Sequence, residues 1–111
     1  MRFVLPVAFA ILSLAACSPQ PSGVKAIVGA RLEPGEGKPA IEYSVIVIAD
    51  AKIRAAGPQA TTPVPKGAEI TGGVGRVIRA DLQPGQAANL VMLDGLTGAA
   101  AATMRNGEWV K

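Results

Sequence analysis

Few side chains in this sequence could do chemistry. Among 111 residues there is no histidine and one cysteine, Cys17. That excludes an intramolecular disulfide, a zinc finger, a Ser-His-Asp triad and any metal site built on histidine. Asp50, Asp81 and Asp94 stand at turns, where an aspartate commonly bonds its own backbone, so they do not read as a metal cluster. Lys25, Arg31, Lys52 and Arg54 alternate with apolar neighbours and read as the solvent face of two strands. Gly73-Val74-Gly75-Arg76 is not a nucleotide fingerprint, because no long helical pattern follows to point an N-terminus at a phosphate. It reads as a flexible connection. The sequence therefore assigns no catalytic, cofactor-binding or metal-ligating residue, and the one reactive group that remains is the thiol of Cys17.

The position of that thiol is informative. Met1-Arg2 is positive, Phe3 to Ala16 is almost wholly apolar, and the run ends in small residues, the layout of a secretory signal. The apolar run is shorter than the roughly 20 residues that span a bilayer as a helix, and Pro6 interrupts it, which argues against a permanent transmembrane anchor. Leu14-Ala15-Ala16-Cys17 resembles the bacterial lipobox. The resemblance implies cleavage between Ala16 and Cys17 and a covalent lipid on the Cys17 thiol, the only non-protein group expected. Acyl chains buried at about 0.8 kcal/mol per methylene would hold the protein firmly on a bilayer. Ser18, in place of an aspartate, implies by the same resemblance sorting to the outer membrane, facing the periplasm. The alternative is an ordinary signal segment that happens to end in the one cysteine. Ser18 to Gly23, SPQPSG, has no hydrophobic period and reads as an extended tether.

Composition bounds the rest. Half of the residues are apolar, which suits one small folded domain. Lysine and arginine exceed aspartate and glutamate by three, or by two once Arg2 leaves with the signal segment. Such an excess is too small and scattered for a nucleic-acid footprint, and no nucleic-acid partner is expected. Phe3 and Phe9 also lie in the signal segment, leaving Tyr43 and Trp109 as the aromatics of a core otherwise made of Val, Ile, Leu, Met and Ala.

The patterning beyond the tether is that of short strands. Val24 to Leu32 alternates with a period of two and predicts a half-buried strand, with Val24, Ala26, Val28, Ala30 and Leu32 inward. Pro34, Gly35, Gly37 and Pro39 mark a loop. Glu42 to Ala49 is β-branched and apolar on both faces towards its end, a central strand; with Lys52 to Ala55 it predicts a hairpin. Gly57 to Gly67, with three prolines, predicts a loop crossing an edge or an end. Ala68 to Thr71 and Val77-Ile78 are brief strands. Gln83-Pro84-Gly85-Gln86 suits a type II turn, and Leu90 to Leu93, closed by Asp94-Gly95, predicts a strand buried on both faces, partnered by the Glu42–Ala49 hairpin and by the C-terminal hairpin. Leu96 to Ala102 fits a helical turn or a loose strand equally well. Asn106-Gly107 is a strong hairpin signal that sets Arg105 opposite Glu108 as an exposed ion pair and Met104 opposite Trp109 in the core.

VGARLEPGEGKPAIEYSVIVIADAKIRAAGP with VPKGAEI resembles the opening strands of the amidohydrolase superfamily, and LQPGQAANLVMLDG with MRNGEWVK its closing strands. The resemblance covers nearly all of Val24 to Lys111. It implies the small composite β-sandwich of those enzymes. Their catalytic (β/α)8 barrel takes about 250 residues and would lie between the two halves, yet here the first ends near Thr71 and the second begins near Gln83. The barrel's histidines, acidic residue and modified lysine have no counterpart, so the resemblance transfers no catalytic residue.

The sequence thus predicts three segments: a signal peptide at 1–16, the lipidated cysteine and tether at 17–23, and at 24–111 an all-β domain, a small β-sandwich or partly open barrel of about six to eight short strands. The expected function is a non-enzymatic envelope lipoprotein with a binding or structural module. Its partners are the lipid bilayer, through acylated Cys17, and a protein on the apolar face of the domain. The alternative is a remnant or subunit of a metal-dependent hydrolase acting on non-peptide carbon–nitrogen bonds, with its barrel supplied by another chain. A poorly folding deletion product is a third reading.

Overall fold

A computed structural model describes residues 23–110; Ala16, Cys17 and the tether before Gly23 lie outside the described residues, as does the whole expected signal segment. Eight strands make up the described part: β1 (Lys25–Leu32), β2 (Ile41–Ala49), β3 (Lys52–Pro58), β4 (Glu69–Gly72), β5 (Arg76–Ile78), β6 (Leu90–Asp94), β7 (Ala100–Arg105) and β8 (Glu108–Trp109). They form one open sheet in the order β3-β2-β1-β5-β6-β7-β8, and β4 also pairs with β1. The all-β expectation holds. Among the described residues no helix is long and apolar enough to cross a membrane.

β2 is central, as its β-branched run predicts. Ser44 to Ala49 are all buried, and by strand alternation Ile46 and Ile48 face one side while Val45, Val47 and Ala49 face the other. Ile46 and Ile48 join the main core with Ile27, Leu32, Ile53, Ile78, Leu90, Met92 and Met104. On the opposite side Gly57 pairs with Val45, and a Cβ on Gly57 would stand 2.7 Å from the Thr62 hydroxyl. Paired residues share a face, so the proline-rich loop lies over the Val45 side of the sheet. The predicted loop therefore begins later than expected, since Gly57 and Pro58 are the last rungs of β3, opposite Val45 and Ser44. Proline is tolerated there because β3 is an edge strand.

Two hairpins turn through left-handed backbone, Asn106-Gly107 as its sequence favours and Ala51 against the preference of an alanine. Asp50 and Ala51 have φ of 54° and 65°, and Asn106 and Gly107 have 48° and 82°, the left-handed pairs that two-residue hairpin turns need. The second sets Met104 opposite Trp109 and Arg105 opposite Glu108, as predicted, with Met104 buried and Trp109 packed on the core. The charge expectation needs correction, because Glu108 is salt-bridged at 3.7 Å to Lys25 on β1. Lys25 is half-buried rather than solvent-facing.

β6 differs most from its prediction. Its partners are β5 and β7, not the β2–β3 hairpin, and it is buried on one face only: Leu90 and Met92 are inside while Val91 is 39 % exposed. The residues before it explain the difference. Gln83 to Gln86 makes the expected turn, with Gly85 at φ 92°. The chain then lies against the start of β3, where Ile53 N–H donates to Gln86 O (2.8 Å), Gly85 N–H to Ile53 O (2.8 Å) and Ala88 N–H to Ala51 O (2.9 Å). Gly107 N–H reaches Ala88 O at 3.0 Å. The open sheet is thus curled until a loop, not a strand, joins its two ends, which is how Ile53 of β3 and Met104 of β7 share one core.

Candidate functional site

Four irregularities meet at one level of the sheet. Register along β1 shifts between Val28 and Ala30, placing an extra residue, Gly29, on β1; it shifts again between Ala30 and Leu32, this time with the extra residue on β2. Gly29 has φ 102° and Tyr43, on the second bulge, 51°. At the same level β1 changes partner, from β4 up to Gly72 to β5 from Val77, and Gly73-Val74-Gly75 crosses the gap. The β6–β7 turn completes the set, Gly95 N–H donating to Gly75 O at 2.9 Å. Bulges bend strands away from their neighbours and re-aim side chains. Here they open a hollow.

The hollow measures about 360 Å³ and is lined by Gly29, Gly75, Gly95, Val77 and, at its rim, Tyr43, Val74 and Leu96, with Arg31, Glu42 and Arg76. Gly29 and Gly95 are required by proximity, and Gly75 by its φ of 82°. A Cβ on Gly29 would stand 2.7 Å from the Val74 side chain, and one on Gly95 2.8 Å from Gly75 O. The rim side chains are exposed far beyond what burial-driven folding favours: Tyr43 56 %, Val74 65 %, Leu96 97 %. A bulky aromatic residue at positive φ is a genuine outlier, and such strain persists only where surrounding structure enforces it. Ser44, next in the chain, does this by donating its buried hydroxyl to Ala30 O at 2.7 Å. Glycine at this position relieves the strain while alanine keeps it, so Tyr43→Gly is expected to be more stable than Tyr43→Ala by about 1 kcal/mol, the reverse of their usual order in a strand. Urea unfolding of the two variants checks it.

The charges around the hollow are unequally committed. Arg31 donates to Glu33 at 2.8 Å and to Glu42, and these contacts, Glu33 first, raise its pKa. Glu33 also accepts from Arg79 at 3.0 Å; its carboxyl is held below the usual range by Arg31 first and Arg79 second. Among the described residues Arg76 makes one ion pair, a loose 3.8 Å contact with Asp94. Asp94 is occupied mainly by its own turn, accepting from Leu96 and Thr97 N–H at 2.7 and 3.1 Å, and these bonds lower its pKa. Asp81, beside a separate hollow of about 300 Å³, is lowered by Lys38 and then Gln83.

A pH dependence follows. Each of these three carboxyls has a folded pKa below its unfolded value near 4, so its contribution is complete above about pH 4 to 5 and is lost as pH falls through the folded value. The melting temperature is expected to drop between about pH 5 and pH 2, and less steeply in a Glu33→Gln/Asp81→Asn/Asp94→Asn variant.

Asp50, Asp81 and Asp94 lie apart, but the turn expectation holds only in part: Asp50 stands in the β2–β3 turn and meets Arg54 at 3.3 Å, Asp94 ends β6 and caps the turn after it, and Asp81 lies in irregular backbone, held by the Lys38 and Gln83 side chains. Among the described residues no group of three or more His, Cys, Asp or Glu side chains is placed to hold a metal ion. Arg31, Lys52 and Arg54 are exposed as expected, and Arg31 also borders the hollow. The sequence reading missed the hollow altogether. Its one legible signal was Gly29, a glycine inside an otherwise regular alternation, which often marks a bulge. A larger groove of about 530 Å³ runs along Asn89–Val91 and Thr103–Asn106, but these are neighbouring rungs of one ladder, and none is held in a strained conformation apart from the hairpin's Asn106.

No family model and no curated protein matches this sequence. Among solved structures, a Bifidobacterium longum protein assigned as a prolidase is similar over 54 % of this chain and 15 % of its own, with 21 % identity and a TM-score of 0.46. Phenylurea hydrolase B is similar over 50 % of this chain and 12 % of its own, with 26 % identity and a TM-score of 0.44. The chain thus spans under a sixth of either structure, and likenesses of this extent carry nothing about chemistry.

Proposed function

We propose that this chain is an envelope lipoprotein, anchored through acylated Cys17 to the outer membrane on its periplasmic side, whose β-domain binds rather than transforms. The observation that carries the binding role is the strained, glycine-floored hollow with its exposed apolar rim. Arg31 at its edge is tied to Glu33 and Glu42, while Arg76 is left with a loose 3.8 Å pair to Asp94, a cation suited to holding an anionic group. The anchor rests on Leu14-Ala15-Ala16-Cys17 and the apolar run before it. Metabolic labelling with a fatty acid is expected to mark the chain, Cys17→Ser to abolish the label, and a globomycin-type inhibitor of the lipoprotein peptidase to leave a larger precursor. A chain without label, its size unaffected by the inhibitor, would remove the anchor.

A second reading makes the domain a subunit of an amidohydrolase-type enzyme whose barrel is a separate chain. Val74 supports it: this exposed apolar residue sits where the two sequence halves that resemble the opening and closing strands meet, with Tyr43 and Leu96 beside it. Co-purification with a barrel-sized hydrolase chain would favour this reading, and monomeric behaviour of the full chain would count against it.

A further inference from the structure

The hollow's lining defines a ligand class, and we propose that it takes an aromatic monocarboxylate, with the ring held between Tyr43, Val74 and Leu96 and the carboxylate on the Arg76 guanidinium. The inference rests on the binding-module reading above and makes it specific. Volume comes first. A dry cavity of roughly 150 Å³ accepts benzene, and small-molecule sites start at about 300 Å³; at about 360 Å³ the hollow has room for a ring with a short acidic arm and little more. The rim supplies one aromatic and two aliphatic side chains, an arrangement that favours a flat apolar group, since rings pack edge-to-face or offset on tyrosine.

Charge then selects the polar end. Arg31 is committed to Glu33 through Nε and to Glu42 through Nη1, whereas among the described residues the one ion pair of Arg76 is a 3.8 Å contact with Asp94 Oδ2, too long for a hydrogen bond, while Asp94 Oδ1 accepts from the amides of its own turn. One planar guanidinium fork is therefore available, the group best matched to a carboxylate. Glu42 also lines the hollow and would repel a second negative charge, which sets a carboxylate above a dianionic phosphate. Backbone strain at Tyr43 completes the case. With ordinary strand φ, residue 43 would follow the regular pleat; the bulge instead holds its ring at the rim.

The test uses the full chain in lipid nanodiscs with ring-13C tyrosine. Tyr43 is the only tyrosine, so one ring signal reports the site. Titration with 3-phenylpropionate is expected to shift that signal saturably. The neutral 3-phenylpropionamide and the Arg76→Gln chain should each bind at least ten-fold more weakly, and Leu96→Ser should weaken the acid and the amide alike. Fluorescence of Trp109, also unique in the sequence, should stay unchanged in every variant, which shows that the core is intact. N-acetylphenylalanine separates two sources of the same chemistry: tighter binding than 3-phenylpropionate points to a peptide C-terminus, weaker binding to a free acid. No saturable shift, or equal affinity for acid and amide, overturns the proposal. Neither result touches the anchor, which fails separately if Cys17 takes up no acyl label.

Discussion

Leu90→Ala is expected to destabilise the domain by about 2–4 kcal/mol, whereas Val91→Ala, one residue along the same strand, should change stability by less than about 1 kcal/mol. Both residues are apolar and both lie in the run Leu90–Leu93, so composition does not separate them. Their surroundings do. Leu90 belongs to the core cluster with Ile53, Ile78 and Met104, elements from opposite ends of the sheet, and a cavity there cannot be closed by moving one strand. Val91 is 39 % exposed and pairs with Thr103 on the outer face. For a domain of this size each kcal/mol corresponds to about 4–8 °C of melting temperature. Leu90→Ala should therefore melt at least about 8 °C lower, with Val91→Ala close to the parent. Similar melting temperatures for the two variants would mean that β6 is buried on both faces or on neither.

That contrast shows what the sequence could and could not reveal. Leu90 to Leu93 is apolar without a break, and such a run commonly marks a strand covered on both sides. Cover on the outer side would have to come from a second layer, and among the described residues Val91 stays 39 % exposed. For β2 the same kind of run does mean burial on both faces, because the loop carrying Thr62 crosses the Val45 side. Local turn chemistry transferred well: Asn106-Gly107 and Pro84-Gly85 impose backbone angles that few other residues accept. Long-range pairing did not. The Gln86–Ala88 segment meets the start of β3 through backbone groups, which leave no mark in side-chain pattern. The hollow was illegible for a related reason, since it arises from bulges on β1 and β2 falling level with the β4–β5 gap, a coincidence of register between segments distant in sequence.

The four residues from Gly72 to Gly75 carry the last prediction, because their sequence reads as a flexible connection and the structure makes part of it rigid. Gly73→Ala is expected to cost about 1–3 kcal/mol as overpacking, while Gly72→Ala is neutral or slightly stabilising. Neither residue has positive φ, so alanine strains neither backbone and the difference must come from space. A Cβ on Gly73 would lie 2.8 Å from Ala30 Cβ and 2.9 Å from Ala30 N, whereas one on Gly72 meets nothing within 4 Å. Ala30 cannot yield, being fully buried in β1 and accepting the Ser44 hydroxyl through its carbonyl. Relief must instead come from moving the junction, which strains the 2.8 Å bond from Gly73 N–H to Val28 O and shifts Val74 at the rim of the hollow. The Gly73→Ala chain should thus lose stability and weaken 3-phenylpropionate binding together, and the Gly72→Ala chain neither. Equal stability of the two variants in urea would establish that the junction is a mobile linker, and with it that the hollow has no fixed wall on that side.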